Sequence, residues 1–493
     1  MIFWLFTLLV FVTASPATAQ WLLDGDLSDW PEDALTVADR VGDSAKPCQP
    51  MGNDGRDLTS LRVRVDRDNL YVGIGFSGEE RGDEEAGLLL LIDADRDGST
   101  GVRRAGLGCE LVWDIGLRTG EVHLDGFSGP IEGAEELREF LGILVAPTVT
   151  HDAVEVVLPR GDHELFEDRA FYLVVHDERS DDRAPDDGSF TLVWPTDATP
   201  VESIPLERHP DAAVRLGVYN IEHGGLFVHE DAARQESLQR MLRTMDADMW
   251  MICESWDHDA AQVRARLGEV LGRDLSTWSG VRHDGGNVLL SRFPVRDSWE
   301  VIDDVDSDEP RNRHRLTAAL VATPERDALF VVNHWRCCDN DAARQVEADG
   351  LVRFLRDAFT SGGRLDLPAD TPVVMAGDFN LVGLRDPLDT LLTGDIADEA
   401  RFGPDFAELG LRDVPARHPQ APWLHTWHVP SSSFGAGRLD WVFVRDAQVD
   451  VLRSYVLDTT HLDDALLSRH GLRRDDARTA SDHFPLVVDL DWK

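Results

Sequence analysis

Lysine is almost missing from this chain. Only Lys46 and Lys493 occur among 493 residues, and 46 arginines supply the rest of the basic charge. Basic groups number 48 against 91 acidic ones, a formal net charge of −43. Such a chain has no broad basic surface with which to hold a polyanion. A phosphate-bearing substrate therefore has to be met locally, by a metal ion or a few aimed arginines. Either high-GC coding or selection for an acid-rich, salt-tolerant surface produces this balance. Cysteine is scarce, at positions 48, 109, 253, 337 and 338, and no Cys-x-x-Cys pair occurs, which argues against a structural zinc site. No apolar run approaches the 18 residues of a membrane span. Hydrophobic residues at 42% and charged residues at 28% exclude a largely disordered chain.

The length suggests two or three domains. Residues 2–13, IFWLFTLLVFVT, precede Ala17-Thr18-Ala19, which reads as a secretory signal peptide over 1–19 and predicts a secreted or periplasmic protein with no membrane span. Export permits disulfides, and Cys48 and Cys109 are the one pair in the front half. Residues 1–205 carry 16 basic and 41 acidic groups, against 32 and 50 in 206–493. The front part is the more acidic in less length, a first sign of two units.

Residues 20–195 alternate apolar and polar positions in short runs. Leu61, Val63 and Val65 form one such run, and Leu70, Val72, Ile74 and Phe76 another, with Asp68-Asn69 as the turn. Further strands fit 87–92, 109–115, 153–158, 170–176 and 190–194, with a helix candidate at 133–141, a pattern that suggests an all-β sandwich. Four prolines between 195 and 210 mark a linker over 196–213. From Val214 to the end the pattern becomes mixed α/β, with helices expected over 231–245 and 340–358 and strands over 214–219, 249–253, 373–376 and 441–444.

In this second unit, polar residues recur at strand ends. These are Asn220 after LGVY, Glu254 after MWMIC, His334 after LFVVN, Asp378 and Asn380 around VVMAG, Asp440 in RLDWVFV, and Asp482-His483 before FPLVVDL. Six clusters drawn from segments so far apart suggest one pocket. Carboxylates and amides are hard donors that suit Mg²⁺, Mn²⁺ or Ca²⁺ rather than zinc. With two histidines they fit metal-assisted hydrolysis of a phosphate ester. Cys253, Cys337 and Cys338 flank this set and read as inert thiols, and Glu222 and His223 read as loop residues.

The ordered set YNIEHGG, ICES, NVLLSRFPV, VVNHW, AGDFN, RLDWVFV and SDHFPLVV resembles the endonuclease/exonuclease/phosphatase superfamily over about 214–491. The resemblance implies a four-layer α/β sandwich, two central mixed or antiparallel sheets flanked by helices. It implies that Glu254 ligates the catalytic Mg²⁺ (or Mn²⁺) with Asn220 and Asp482 nearby. It makes His483 the general base, held by Asp440, with Asp378 and Asn380 positioning the nucleophile and a phosphate oxygen. His334 would stabilise the transition state or assist the leaving group. Arg438, Arg292 and Trp427 are the implied substrate contacts.

Leu23-Asp24-Gly25-Asp26-Leu27-Ser28-Asp29-Trp30, with LLLLIDADRDGSTG, resembles sugar-binding sandwiches of the family 9 carbohydrate-binding-module type over about 21–195. That implies a glycan partner. Asp93, Asp95 and Asp97 space like a Ca²⁺ loop, but its twelfth position is Arg104. The expected function is an exported phosphoesterase acting on nucleic acid, a lipid headgroup or a small phosphoester. The alternatives are a non-catalytic surface or glycan-binding protein that keeps the fold, and a glycosidase, whose paired carboxylates leave the Asn and His partners unexplained.

Overall fold

The structure, a computed structural model, describes residues 21–493 except 44–55, 81–85, 124–133, 162–163, 167–168, 198–201, 229, 284–285 and 302–315. The signal-peptide reading, Cys48 and part of the linker fall outside the described residues.

In the front unit two sheets face one another. One is built in the order 35–38, 58–65, 69–80, 151–159, 144–146, and the other in the order 182–184, 170–177, 88–93, 111–114, 119–122, with 190–193 added on 170–177. The alternation read in the sequence is what closes this core. Leu61, Val63, Leu70, Val72 and Ile74 of one sheet meet Leu90, Ile92, Leu111, Leu173 and Val175 of the other, all but fully buried. The helix read at 133–141 forms as Ala134–Leu141.

The second unit has four layers. One six-stranded sheet runs 279–281, 288–291, 249–253, 214–220, 486–492, 449–456, and the other runs 295–301, 316–322, 327–334, 373–378, 440–445, 411–413. Their inner faces share one core, with Val218 and Met251 from the first sheet and Val332, Val374, Ala376 and Val442 from the second. Helix Ala232–Met245 starts at Asp231, whose side chain accepts from the Arg234 N–H, and Leu238, Met241, Leu242 and Met245 pack on the first sheet. Helix Asp341–Phe359 covers the second sheet with Leu351, Val352 and Leu355.

Pairing direction gathers the polar strand ends. Asn220 pairs with Cys253 in a parallel ladder, and His334 pairs with Asp378 in another. Asp378 is also opposite Asp440, the first residue of an antiparallel partner, and Val218 is opposite Leu486, just after His483. Thus C-terminal ends of parallel strands and N-terminal ends of antiparallel ones meet at one edge of both sheets.

The two units are joined by backbone. Thr150 N donates to Gly383 O at 2.7 Å, Gly383 N to Thr148 O at 2.9 Å, and Leu23 N to Pro422 O at 3.1 Å. Leu23, Trp30, Tyr71 and Leu144 share an apolar cluster with Ala421, Trp423 and Ala436. Part of the opening segment that carried the sugar-binding resemblance, Leu23 and Trp30, is used in this junction. Trp30 is buried and its Nε1 donates to Glu155 Oε1 at 2.5 Å, while Asp29 accepts from Leu22 N and Asp26 from Ser28 N. The described part of the linker is packed as well, with Leu206 fully buried.

Candidate active site

His483 anchors the site. Its Nδ1 lies 2.7 Å from Asp440 Oδ2, so Nδ1–H donates to that carboxylate and Nε2 is turned toward the cleft. Nε2 faces Asn220 Nδ2 at 3.4 Å and Asp378 Oδ2 at 3.7 Å. The amide of Asn220 bridges the two acids, donating to Glu254 Oε1 at 3.1 Å and Asp378 Oδ2 at 3.0 Å. His334 Nε2 approaches the same oxygens, at 3.6 Å from Asp378 and 4.0 Å from Glu254. The Asn380 backbone N–H donates to Asp378 Oδ1 at 3.0 Å, and its Nδ2 donates to Trp335 O at 3.2 Å. Seven residues named from the sequence (Asn220, Glu254, His334, Asp378, Asn380, Asp440, His483) therefore come together in one cluster, mostly buried.

Local backbone places several of them. Glu254 and Asn380 have φ of 64° and 47°, the left-handed region, where a side chain turns sharply away from the strand before it. Gly377, just ahead of Asp378, has φ of 139°, and a Cβ there would lie 2.0 Å from Asn333 O. Only glycine lets the 373–378 strand approach that carbonyl. Glu222 and His223 form a tight turn, and the His223 N–H donates to Glu254 Oε2 at 2.7 Å.

Burial and charge set the proton affinities. Burial pushes the Asp378 carboxyl up to about 7, helped by nearby Asp440 and opposed by His483. Burial alone would lower His483, but the carboxylates of Asp440 and Asp378 outweigh it and raise the imidazole to about 10. Burial would raise Glu254, yet the His223 N–H, His334 and the Asn220 amide hold it below its ordinary value. Burial pushes the Cys253 thiol well up, in keeping with an inert role. The donor set fits a hard divalent cation, with ionised Glu254 and a second carboxylate, Asp378, crowded about one amide.

Asp482 is at the flank, where its Oδ2 accepts from Trp427 Nε1 at 3.0 Å. Trp427 itself lines the cleft and pairs with His483 through backbone. The structure moves the two arginines elsewhere. Arg438 is held by Asp413 in two bonds of 2.7 and 2.6 Å and lies over Trp441, lining a separate cavity of about 650 Å³ between the two units. Arg292 follows the 288–291 strand, which is antiparallel to 249–253, so it lies beside Asp248 at the opposite end from Glu254, 2.8 Å from that carboxylate.

The cleft above the cluster measures about 320 Å³. Its walls include residues that the sequence did not single out. Trp256 packs against His334 with ring centroids 5.6 Å apart. Arg118, Val145, Pro147 and Thr148 reach in from the front unit. Arg118 sits at a left-handed turn position and donates to Ser433 O at 2.7 Å, which fixes it at the rim. No local pattern announces such residues, because only the docking of the units brings them near.

In the front unit Asp93 and Asp95 gather with Glu110, which replaces the missing acid at position 104, while Asp97 turns to the Ser99 hydroxyl.

The profile of the Endonuclease/Exonuclease/phosphatase family matches residues 217–483, more than half of the chain, and the chain belongs to that family. Endonucleases, exonucleases and phosphatases all hydrolyse phosphate esters. Among solved structures, D. rerio TDP2 humanised by 14 mutations is 18% identical, covering 56% of this chain and 98% of its own, with a TM-score of 0.36. The human nocturnin catalytic domain is 14% identical, over 57% of this chain and 93% of its own, with a TM-score of 0.38. Beta toxin from Staphylococcus aureus is 13% identical, over 56% and 99%, with a TM-score of 0.35. No curated protein matches the sequence.

Proposed function

We propose that the protein is an exported, divalent-metal-dependent phosphoesterase that hydrolyses a phosphodiester by water attack. The observation that carries this reading is His483, clamped through Nδ1 by Asp440, with Nε2 turned toward Asp378 and Asn220. Glu254 and Asp378 would hold Mg²⁺ or Mn²⁺, with Asp482 at the flank. Such a cation supplies positive charge where the phosphoryl oxygens gain negative charge. Asp378 and Asn220 orient the attacking water toward His483, whose Nε2 would accept its proton when a cation held by Asp378 offsets the carboxylate charge that raises the imidazole. His334, packed against Trp256, donates to a phosphoryl oxygen or to the leaving group. Asn380 fixes the loop that carries Asp378.

The cleft favours a compact ester with an apolar substituent. Trp256, Val145, Pro147, Phe434 and Leu439 line it, with Arg118 as a cation at its rim. A net charge of −43 disfavours a grip on long duplex DNA. For the front unit, the Asp93, Asp95 and Glu110 carboxylates support a Ca²⁺ site on the hairpin.

The test is hydrolysis of bis-p-nitrophenyl phosphate, phospholipid, inositol phosphate, RNA and DNA, with and without EDTA. Turnover should vanish with EDTA and return with Mg²⁺ or Mn²⁺. His483→Ala and Asp378→Ala should each lower kcat by about 10²–10⁴-fold without unfolding the protein. Undiminished turnover in either variant would refute the reading. Export predicts a mature N-terminus at Gln20, read by N-terminal sequencing of secreted protein.

A further inference from the structure

Behind the catalytic loops lies a second cluster that the mechanism does not use. His418 and His425 come from the loop after the 411–413 strand, and Asp458 and His461 come from the segment after the 449–456 strand. His418, His425 and Asp458 are buried, at 1%, 7% and 0% exposure. His418 Nε2 lies 2.8 Å from His425 O. A carbonyl only accepts, so Nε2 carries the hydrogen and the lone pair of the neutral ring is on Nδ1. That lone pair faces Asp458 Oδ2 at 3.5 Å, and neither atom has a hydrogen-bond partner. His461 Nε2 is 3.7 Å from the same oxygen. One ligand atom each of His418, His425 and Asp458 fit within 4.8 Å of one another.

Two buried acceptors facing each other without a donor leave an uncompensated cost. A cation between them removes it. Neighbouring ligands of a tetrahedral zinc ion stand about 3.4 Å apart, close to the spacings seen here. The bond from His418 Nε2 to a carbonyl is the outer contact that a metal-ligating imidazole makes.

We propose that His418 Nδ1, Asp458 Oδ2 and His425 form a structural site for a borderline transition ion, Zn²⁺ by ligand chemistry, with His461 as an outer contact on Asp458, separate from the oxygen-rich catalytic cleft. The absence of a Cys-x-x-Cys pair does not weigh against it, since imidazole and carboxylate suffice. The ion would pin the loop that carries Thr426 and Trp427. Thr426 Oγ1 accepts from the Leu439 and Asp440 N–H groups, and Trp427 holds Asp482. The site therefore fixes the frame on which Asp440 and His483 meet.

The experiment is a Co²⁺ titration of the full chain after dialysis against a chelator, read by visible absorption, with bound metal counted by plasma mass spectrometry. The expected result is one equivalent with the intense bands of four-coordinate Co²⁺, displaced by Zn²⁺ but not by excess Mg²⁺. Asp458→Asn should abolish the bands, and Glu254→Gln, in the cleft, should leave them unchanged. Should Asp458→Asn fail to fold, His461→Gln decides, because that side chain is one-third exposed at the surface of the site. It should weaken Co²⁺ binding at least about tenfold with the circular dichroism of the parent. Absence of a four-coordinate spectrum overturns the proposal, as do bands that survive both His461→Gln and Asp458→Asn or that vanish in Glu254→Gln.

Discussion

His483 presents Nε2 to the cleft only while Asp440 holds Nδ1 at 2.7 Å. An amide at 440 keeps the shape but no longer fixes the tautomer. Asp440→Asn should therefore lower kcat by about 10²-fold or more with little change in KM, measured on bis-p-nitrophenyl phosphate. Arg118 predicts the opposite split. It stands at the rim, held by Ser433 O, so Arg118→Ala should raise KM for an anionic ester several-fold and leave kcat within about twofold. An unchanged KM would remove the front unit from substrate binding. Arg438 and Arg292 mark where residue-level reading fails. Each is next to a motif in sequence, yet Asp413, from the 411–413 strand, and Asp248, just ahead of the 249–253 strand, capture their guanidinium groups.

Strand ends decide the site at the next scale. The parallel pairs 214–220 with 249–253 and 327–334 with 373–378 put Asn220, Glu254, His334 and Asp378 on one edge. Gly377 tests this placement. With φ of 139° and Asn333 O at 2.0 Å from any added Cβ, Gly377→Ala must push the two strands apart. Destabilisation of about 2–4 kcal/mol in urea unfolding is expected, with loss of activity as His334 and Asp378 separate. The strands and helices were legible because apolar periods of 2 and 3.6 recur in them. Their order in the sheets was not, since pairing partners lie up to hundreds of residues apart.

For the whole molecule, charge and buried acids set the response to solvent. Glu155 sits at the junction of the units, where burial outweighs the N–H donors of Gly25 and Trp30 and pushes its carboxyl up to about 8. The folded protein thus keeps a proton that the unfolded chain, with an ordinary carboxyl near 4.5, gives up. The resulting stability is full below pH 4.5 and is lost as pH rises through about 8, on the order of 4 kcal/mol. Thermal unfolding of the front unit should therefore move to lower temperature between pH 5 and 8.5, and Glu155→Gln should flatten that slope. With a net charge of −43, self-repulsion is long-ranged. Calorimetry should show the unfolding midpoint climbing as NaCl goes from about 0.1 to 1 M, because the screening length falls from about 10 to 3 Å.

Composition and motif order in the sequence determined a sheet-rich, acid-surfaced chain and the seven residues of the clustered site. Those residues stand at strand termini, where local apolar runs and short motifs are sufficient signals. The tertiary structure alone decided which arginine reaches the cleft, that the front unit walls it, and that two histidines meet a buried aspartate behind it. These are contacts between segments with no shared period or spacing, created by docking of surfaces and by the burial of groups that need partners from elsewhere in the chain.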